Sequence, residues 1–218
     1  RPVHLFGRCA EVELLGAAAK PKGIWVLEDA AQAIGARRHG KGAGTLADGA
    51  TFSFFPSKNL GGVGDGGLVA GTDLAWLDRV KRLRVHGGAK QYVHDEVGMN
   101  SRLDEIQAAV LEVKLKRLDA WTDGRRKNAD KYRALLADVS EVVLPSDDPD
   151  GRHIYNQFTL LADRRDSLKE HLTGAGVGNA IYYPTCLHLQ KCFSDWGYKK
   201  GQFPVSEKAS ERALSIPV

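Results

Sequence analysis

The stretch Thr51-Phe52-Ser53-Phe54-Phe55-Pro56-Ser57-Lys58-Asn59-Leu60-Gly61-Gly62-Val63-Gly64-Asp65-Gly66-Gly67 decides the fold. Residues 51–55 are β-branched and aromatic, a composition that packs on a pleated, half-buried surface and predicts a strand. Pro56 ends it, because proline has no N–H to give to a sheet ladder. Lys58 stands just past the strand end, and five glycines fall within the seven residues 61–67. An amine held in a dry, partly apolar site loses its proton readily and attacks carbonyl carbon, which is how Schiff-base lysines arise. A solvated loop lysine is the competing reading, and the residues alone leave both open.

The run Gly62-Val63-Gly64-Asp65-Gly66-Gly67 also fits G-x-G-x-x-G. That dinucleotide fingerprint needs a strand before it, a helix after it and an acidic residue about 20 positions on. Here Leu68-Val69-Ala70 reads as another strand, and Gly87 stands where the acid should be. The glycines are better explained as a link between two strands whose backbone needs positive φ or close approach.

Five stretches in one order carry a resemblance to a known family. They are Val3-His4-Leu5-Phe6-Gly7, Glu28-Asp29-Ala30-Ala31-Gln32-Ala33, the Ser53 to Gly67 segment, Asn100-Ser101-Arg102-Leu103-Asp104-Glu105-Ile106-Gln107-Ala108-Ala109, and Leu187-His188-Leu189-Gln190. Together they resemble the DegT/DnrJ/EryC1/StrS family of pyridoxal-phosphate-dependent aminotransferases that act on nucleotide-linked keto sugars. The likeness runs nearly end to end. It implies an α/β fold of the fold-type I class, with part of the large mixed-sheet α/β/α domain followed by part of a smaller C-terminal α/β domain. Lys58 is implied as the catalytic residue, carrying the pyridoxal 5'-phosphate cofactor and moving a proton as general base and acid. Asp29, Gln32, Ser53 and Asn100 are implied as further cofactor-binding residues, with no metal. His188 and Tyr183 are implied as substrate contacts. Tyr182-Tyr183-Pro184 departs from the His-Tyr-Pro of many members, and Cys186 replaces a usual proline, which bears on sugar specificity.

The implied reaction moves an amino group from glutamate to a keto sugar on a nucleoside diphosphate, with a lean toward 3-keto substrates. A homodimer is implied, because in the family Asn100 reaches the cofactor phosphate of the neighbouring subunit. Set against the family, the chain is expected to be an internal fragment without its N-terminal and extreme C-terminal parts, and inactive alone. The segment expected upstream supplies a helix N-terminus for the cofactor phosphate, a site favoured by free N–H groups and the helix dipole. Two rivals stand beside this reading. A sugar dehydratase on the same fold carries histidine where this chain has Lys58. A regulatory or non-catalytic homologue would keep the fold without turnover.

Composition sets the class around these motifs. With 218 residues there is room for one large or two modest domains. Hydrophobic residues at 43% and charged residues at 27% indicate an ordinary folded chain rather than a disordered one. The net charge of +4 is spread along the sequence, which argues against nucleic acid and suits anionic small molecules. No apolar run reaches the length of a membrane helix, so no membrane partner is expected. Cys9, Cys186 and Cys192 are odd in number and lack a C-x-x-C spacing, which predicts reduced thiols in a cytoplasmic protein.

The remaining elements follow from local pattern. Residues 24–27 are a compact apolar run, read as a buried parallel strand with Asp29 just past its end, where open α/β sheets bind ligands. The alternative for Asp29 is an N-cap for residues 30–36, and if these are helical Gln32 shares its face. Ser53 alternates with Phe52 and Phe54 and so points to the other side. Asp73 predicts an N-cap for an amphipathic helix through Leu74, Leu77, Val80 and Leu83, with His86 closing it. Ser101 to Asp104 reads as an acidic capping box for a helix with Leu103, Ile106, Val110 and Val113 on one face. A second helix is expected over 121–136. The composition change at 138–152 divides the chain into domains 1–137 and 138–218. Beyond it, strand 155–161, helix 164–174 and strand 179–183 suggest a small α/β domain.

Overall fold

The structure, a computed structural model, describes residues 1–218. In chain order it holds α1 (Val12–Ala19), β1 (Leu27–Asp29), β2 (Arg37–Arg38), β3 (Lys41–Gly42), β4 (Gly49–Ser53), β5 (Gly67–Gly71) and α2 (Leu74–Leu83). There follow α3 (Glu105–Leu115), α4 (Leu118–Leu135), β6 (Val142–Val143), β7 (Gly151–Arg152), β8 (Phe158–Ala162), α5 (Arg165–Gly174), α6 (Pro204–Arg212) and β9 (Ala213–Ile216). The architecture is mixed α/β, and no helix is long and apolar enough to cross a membrane. Two compact units form, Arg1–Arg126 with Asp148–Asn156, and Lys127–Asp147 with Gln157–Val218.

The first unit is built on a mixed sheet in the order β1-β4-β5. β1 lies parallel to β4, pairing Asp29 with Thr51, and β4 lies antiparallel to β5, pairing Ser53 with Gly67. The central strand is the predicted one, shifted two residues toward the N-terminus. Phe54 then leaves the ladder while still donating its N–H to the Gly66 carbonyl at 2.8 Å. The apolar run at 24–27 is not the strand expected there. β1 begins only at Leu27, and Ile24 is 56% exposed. Trp25 instead packs against Trp76, with ring centroids 4.7 Å apart and the planes tilted by 56°. A Cβ at Gly49 would come within 2.7 Å of Trp25, and one at Gly71 within 2.8 Å of Trp76, so small residues on β4 and β5 make room for the pair.

Residues 30–36 do not form a helix either. They make successive turns in which the Ala33 N–H donates to Ala30 O and the Ala36 N–H to Ala33 O, both at 2.9 Å. Ala30, Ala33 and Ala36 are fully buried in a cluster with Cys9 and Ile154. Burial of three alanines at i, i+3 spacing overrides their helix propensity. A second, three-stranded ribbon, β3-β2-β7, completes this unit.

α2 begins as expected, with Asp73 Oδ1 accepting the Trp76 N–H at 3.1 Å. It ends at Arg84 rather than at His86, whose own N–H donates to Met99 O at 3.0 Å. α3 starts one residue after Asp104, without a side-chain cap bond, so the capping box at Ser101 is not made. Its inner face also differs from the expected stripe. Leu111 packs with Phe54, Leu60, Leu103 and Leu118, whereas Ile106 and Val113 are 76% and 69% exposed.

The second unit carries an antiparallel sheet in the order β6-β8-β9. Leu160, Ala162 and Leu214 form its core, and Leu168 and Leu172 of α5 pack on them as the helical spacing predicts. The strand expected over 179–183 is reduced to a single bridge between Ala180 and Ser215. β8 starts at Phe158 rather than 155, because Tyr155 has a positive φ of 47° that breaks an extended run.

Candidate active site

The C-terminal ends of β1 and β4 lie side by side in the first unit, and they bring Asp29, Ser53 and Lys58 to one edge of the sheet. This is where open α/β sheets gather ligand chemistry. Lys58 sits in a tight turn, its N–H donating to Phe55 O at 2.9 Å. It is half-buried, and burial pushes its amine below the usual lysine value. The Asp29 carboxylate acts in the opposite sense and only partly offsets that shift. The two groups therefore lie within each other's field.

Asp29 is the last residue of β1 rather than a helix cap. Its Oδ1 accepts the Ala31 N–H at 3.3 Å, and Arg1 Nη2 lies 3.0 Å from its Oδ2. The backbone around it is fixed on both sides. Its N–H donates to Pro2 O at 2.8 Å, its carbonyl accepts from His4 N at 3.0 Å, and the next N–H, of Ala30, donates to Thr51 O at 2.8 Å. Gln32 stands in a turn, not on a helix face. Its Oε1 accepts the Phe6 N–H at 2.6 Å, which fixes the amide orientation and makes Nε2 its donor end. Phe6 holds a positive φ of 59°, and Gly7 follows at 97° with Asn156 N and Ile154 Cγ1 each 2.8 Å from where a Cβ would stand. The Val3 to Gly7 motif thus docks a strained corner onto Gln32. Ser53 Oγ accepts the Phe55 N–H at 3.2 Å, so its hydroxyl proton points away from that bond.

Asn100 lies in the segment before α3. Its Oδ1 accepts from Arg102 Nε at 3.0 Å, and its backbone bridges to Val85. In the second unit, Tyr183 is half-exposed and its carbonyl accepts the Ser210 hydroxyl at 2.8 Å. His188 is engaged through Nε2 with Glu207 Oε1 at 2.9 Å. Backbone N–H groups of Gly201 and Phe203 and the His188 ring hold the Glu207 carboxyl below the usual carboxylate range. A concavity of about 690 Å³ along Val85, His86, Lys90, Tyr92, His94 and Arg102 lies in the first unit and does not include Lys58. The three cysteines are free, and burial pushes the Cys9 thiol up to about 12, which keeps it inert.

Sequence patterning alone missed the polar pair that locks the end of β1. Glu28 is fully buried and accepts four hydrogen bonds: from His4 Nε2 at 2.8 Å, Gly44 N at 2.8 Å, Leu46 N at 2.7 Å and Ala47 N at 2.9 Å. His4 Nδ1 accepts the Ala10 N–H at 3.0 Å, so the ring is neutral with its proton on Nε2. Burial alone would raise the Glu28 carboxyl. The bonds from His4, Gly44 and Leu46 outweigh it and hold the group below the usual range. The signal available in the sequence was a carboxylate inside an apolar strand and a histidine inside an apolar motif, both needing partners.

A stability prediction follows. Glu28→Gln would turn one acceptor oxygen into an NH₂ facing N–H donors, and should cost on the order of 3 kcal/mol at pH 7 in urea denaturation. A carboxyl whose folded value is depressed stabilises the fold above its unfolded value of about 4.3, and that contribution is lost as pH falls through the folded value. The gap between parent and variant should therefore narrow below about pH 4. A gap independent of pH would show that the charge is not what Glu28 contributes.

The DegT/DnrJ/EryC1/StrS aminotransferase family model matches residues 1–218. The chain is 48% identical over 219 residues to a pleiotropic regulatory protein of Geobacillus stearothermophilus, covering all of this chain and 59% of that protein. It is 42% identical over 217 residues to a UDP-N-acetyl-3-dehydro-alpha-D-glucosamine 3-aminotransferase of Acidithiobacillus ferrooxidans, covering all of this chain and 58% of that one. Among solved structures, S. venezuelae DesV matches with a TM-score of 0.95 at 39% identity, over 99% of this chain and 58% of its own. The chain thus spans a little under three-fifths of the length of these relatives.

Proposed function

The chain belongs to the DegT/DnrJ/EryC1/StrS aminotransferase family, and from that membership we propose that it forms the catalytic core of an aminotransferase. The protein it forms would use pyridoxal 5'-phosphate to move an amino group from an amino acid, glutamate by preference, to a keto sugar on a nucleoside diphosphate. The observation that carries this is the half-buried Lys58 amine beside the Asp29 carboxylate, its proton loosened by burial relative to an exposed lysine. The residues fit the cofactor: an amine for covalent attachment, a carboxylate for a ring nitrogen, an oriented amide at Gln32 and a hydroxyl at Ser53. Pyridoxal phosphate, when bound, supplies an electron sink that makes the proton beside the transferred nitrogen removable.

Each residue then has a stated part. Lys58 Nζ would be the attachment point for the cofactor and would hold and move the proton as base and then acid. Asp29 would hold the ring nitrogen and favour its charged form, Gln32 Nε2 would hold the ring oxygen, and Ser53 Oγ the phosphate. Asn100 completes the site of a partner subunit. The exposed Ile106 and Val113 on the helix behind it are what a homodimer would cover. His188, held by Glu207, and Tyr183 would be substrate contacts. In the first unit, Lys90 and Arg102 give the concavity beside His86 a cationic wall. A 3-keto substrate is favoured, in keeping with the name of the A. ferrooxidans relative. A cytoplasmic location and the division into a large domain, 1–137, and a small one, 138–218, belong to the same reading.

A second reading is kept for one observation: the relative at 48% identity is named as a regulatory protein. Assay of the full-length protein with glutamate and a panel of nucleotide-linked 3- and 4-keto sugars separates the two. Turnover on any sugar supports the enzyme. Cofactor binding without turnover on the whole panel supports the regulator.

A further inference from the structure

The glycine segment behind Lys58 carries no positive φ at any of its five glycines, so conformational freedom is not why they are there. What they share is close approach. A Cβ at Gly61 would stand 2.4 Å from Pro56 O, one at Gly62 or Gly64 2.6 Å from the Gln107 amide, and one at Gly66 2.9 Å from Leu103 Cδ1. For Gly62, Gly64 and Gly66 the close neighbour is Gln107 of α3 or Leu103 before it, whereas Gly61 closes on the Phe55–Pro56 backbone of the Lys58 turn. Gln107 Oε1 accepts the Val63 N–H at 2.9 Å, and two helical turns on, Lys114 Nζ donates to the Gly61 carbonyl. Leu103, Leu111 and Leu118 pack into the cluster that holds Phe54 and Leu60. The polar ends of Gln107 and Lys114 therefore sit in an otherwise apolar stripe, each with one backbone group of the glycine segment as partner. On the near side, Gly62 N donates to Phe54 O at 2.8 Å, and Asn59 Nδ2, next to Lys58, donates to Ile154 O at 3.2 Å.

We propose that Gln107 and Lys114 are positioning residues that clamp the glycine segment and thereby set the orientation and solvation of the Lys58 amine. The proposal rests on Lys58 being the reactive lysine of the proposed function. The contacts of the two side chains are with backbone of the glycine segment. They act through residues 61–63, closing the turn in which Lys58 stands. With the clamp released, the turn opens to water, the amine is better solvated, and its proton is held more tightly. This accounts for a glutamine and a lysine on the inner face of a helix, where apolar residues would otherwise pack.

The test uses the full-length protein without cofactor, so that it reads the chain and not the reaction. Hydrogen–deuterium exchange of the 61–67 amides is measured beside the pH profile of Lys58 acetylation, in the parent and in Gln107→Leu, Lys114→Met and Gln107→Glu. Gln107→Leu and Lys114→Met should each speed exchange at Gly61 to Gly64 by about tenfold. Both should also move the Lys58 midpoint upward, toward the ordinary lysine value of about 10.4. Gln107→Glu keeps the acceptor for the Val63 N–H and should restore exchange to near parent. Lys114→Met retains the aliphatic stem, so the proposal stays testable if the Gln107→Leu variant does not fold. Exchange within twofold of the parent in the folded variants would overturn it. Faster exchange with an unmoved Lys58 midpoint would overturn it too, leaving the clamp a structural contact alone. Borohydride trapping of cofactor on Lys58 in the parent decides the enzyme reading separately, since the exchange and acetylation results do not depend on it.

Discussion

Lys58→Ala in the full-length protein should remove the visible, borohydride-sensitive cofactor band and abolish transamination. The two losses have different origins. The band goes because alanine has no amine to attach to a carbonyl carbon. Turnover falls because the group that holds and moves the proton is gone as well, and such a group alone is worth about 10²–10⁴-fold. Cofactor should still associate, since Asp29, Gln32 and Ser53 remain, and a small amine added to the buffer should restore part of the rate by moving the proton in place of Lys58. The fold should be little affected. Lys58 is half-buried with its charged form disfavoured, so removing it relieves a desolvation cost rather than breaking a bond. A band that persists, with the modified peptide mapping elsewhere in the chain, would sink the assignment of Lys58.

Why Lys58 could be found in the sequence while its clamp could not is a matter of range. A β-branched and aromatic run, a proline stop and a lysine just beyond it are local features, and the structure keeps them within two residues of their expected places. The glycines were legible as a need for close approach or positive φ. Only the tertiary structure says which, because the atoms that Gly62, Gly64 and Gly66 approach belong to Gln107 and Leu103, some 40 positions away in the chain. The same range effect misplaced the inner face of α3. By apolar spacing, Ile106 and Val113 should face inward, yet Gln107 and Lys114 do so because the glycine backbone offers them partners. It also explains residues 30–36. Their alanines favour a helix when read alone, but burial against Cys9 and Ile154 selects turns. Glu28 and His4 are the clearest loss, since each needs the other 24 residues away to be satisfied in the interior.

Asp29 is the residue whose local role and proposed chemical role can be separated by one substitution. Locally, its Oδ1 accepts the Ala31 N–H and so closes the first turn after β1. An asparagine keeps that oxygen, which means Asp29→Asn preserves the turn while removing the charge. If capping were its whole function, turnover in the variant would stay near normal. The proposed role needs the charge itself, to keep a positive charge on the cofactor ring so that it can accept electrons as the proton leaves. Removing it should lower kcat by about 10²-fold or more, with cofactor affinity changed far less. A second readout needs no cofactor at all. The Asp29 carboxylate at present raises the Lys58 value against the effect of burial. Its removal should therefore move the acetylation midpoint of Lys58 downward, opposite in sign to releasing the Gln107 and Lys114 clamp. An Asp29→Asn protein with near-parent kcat and an unmoved Lys58 midpoint would reduce Asp29 to a turn residue and leave the ring charge to some other group.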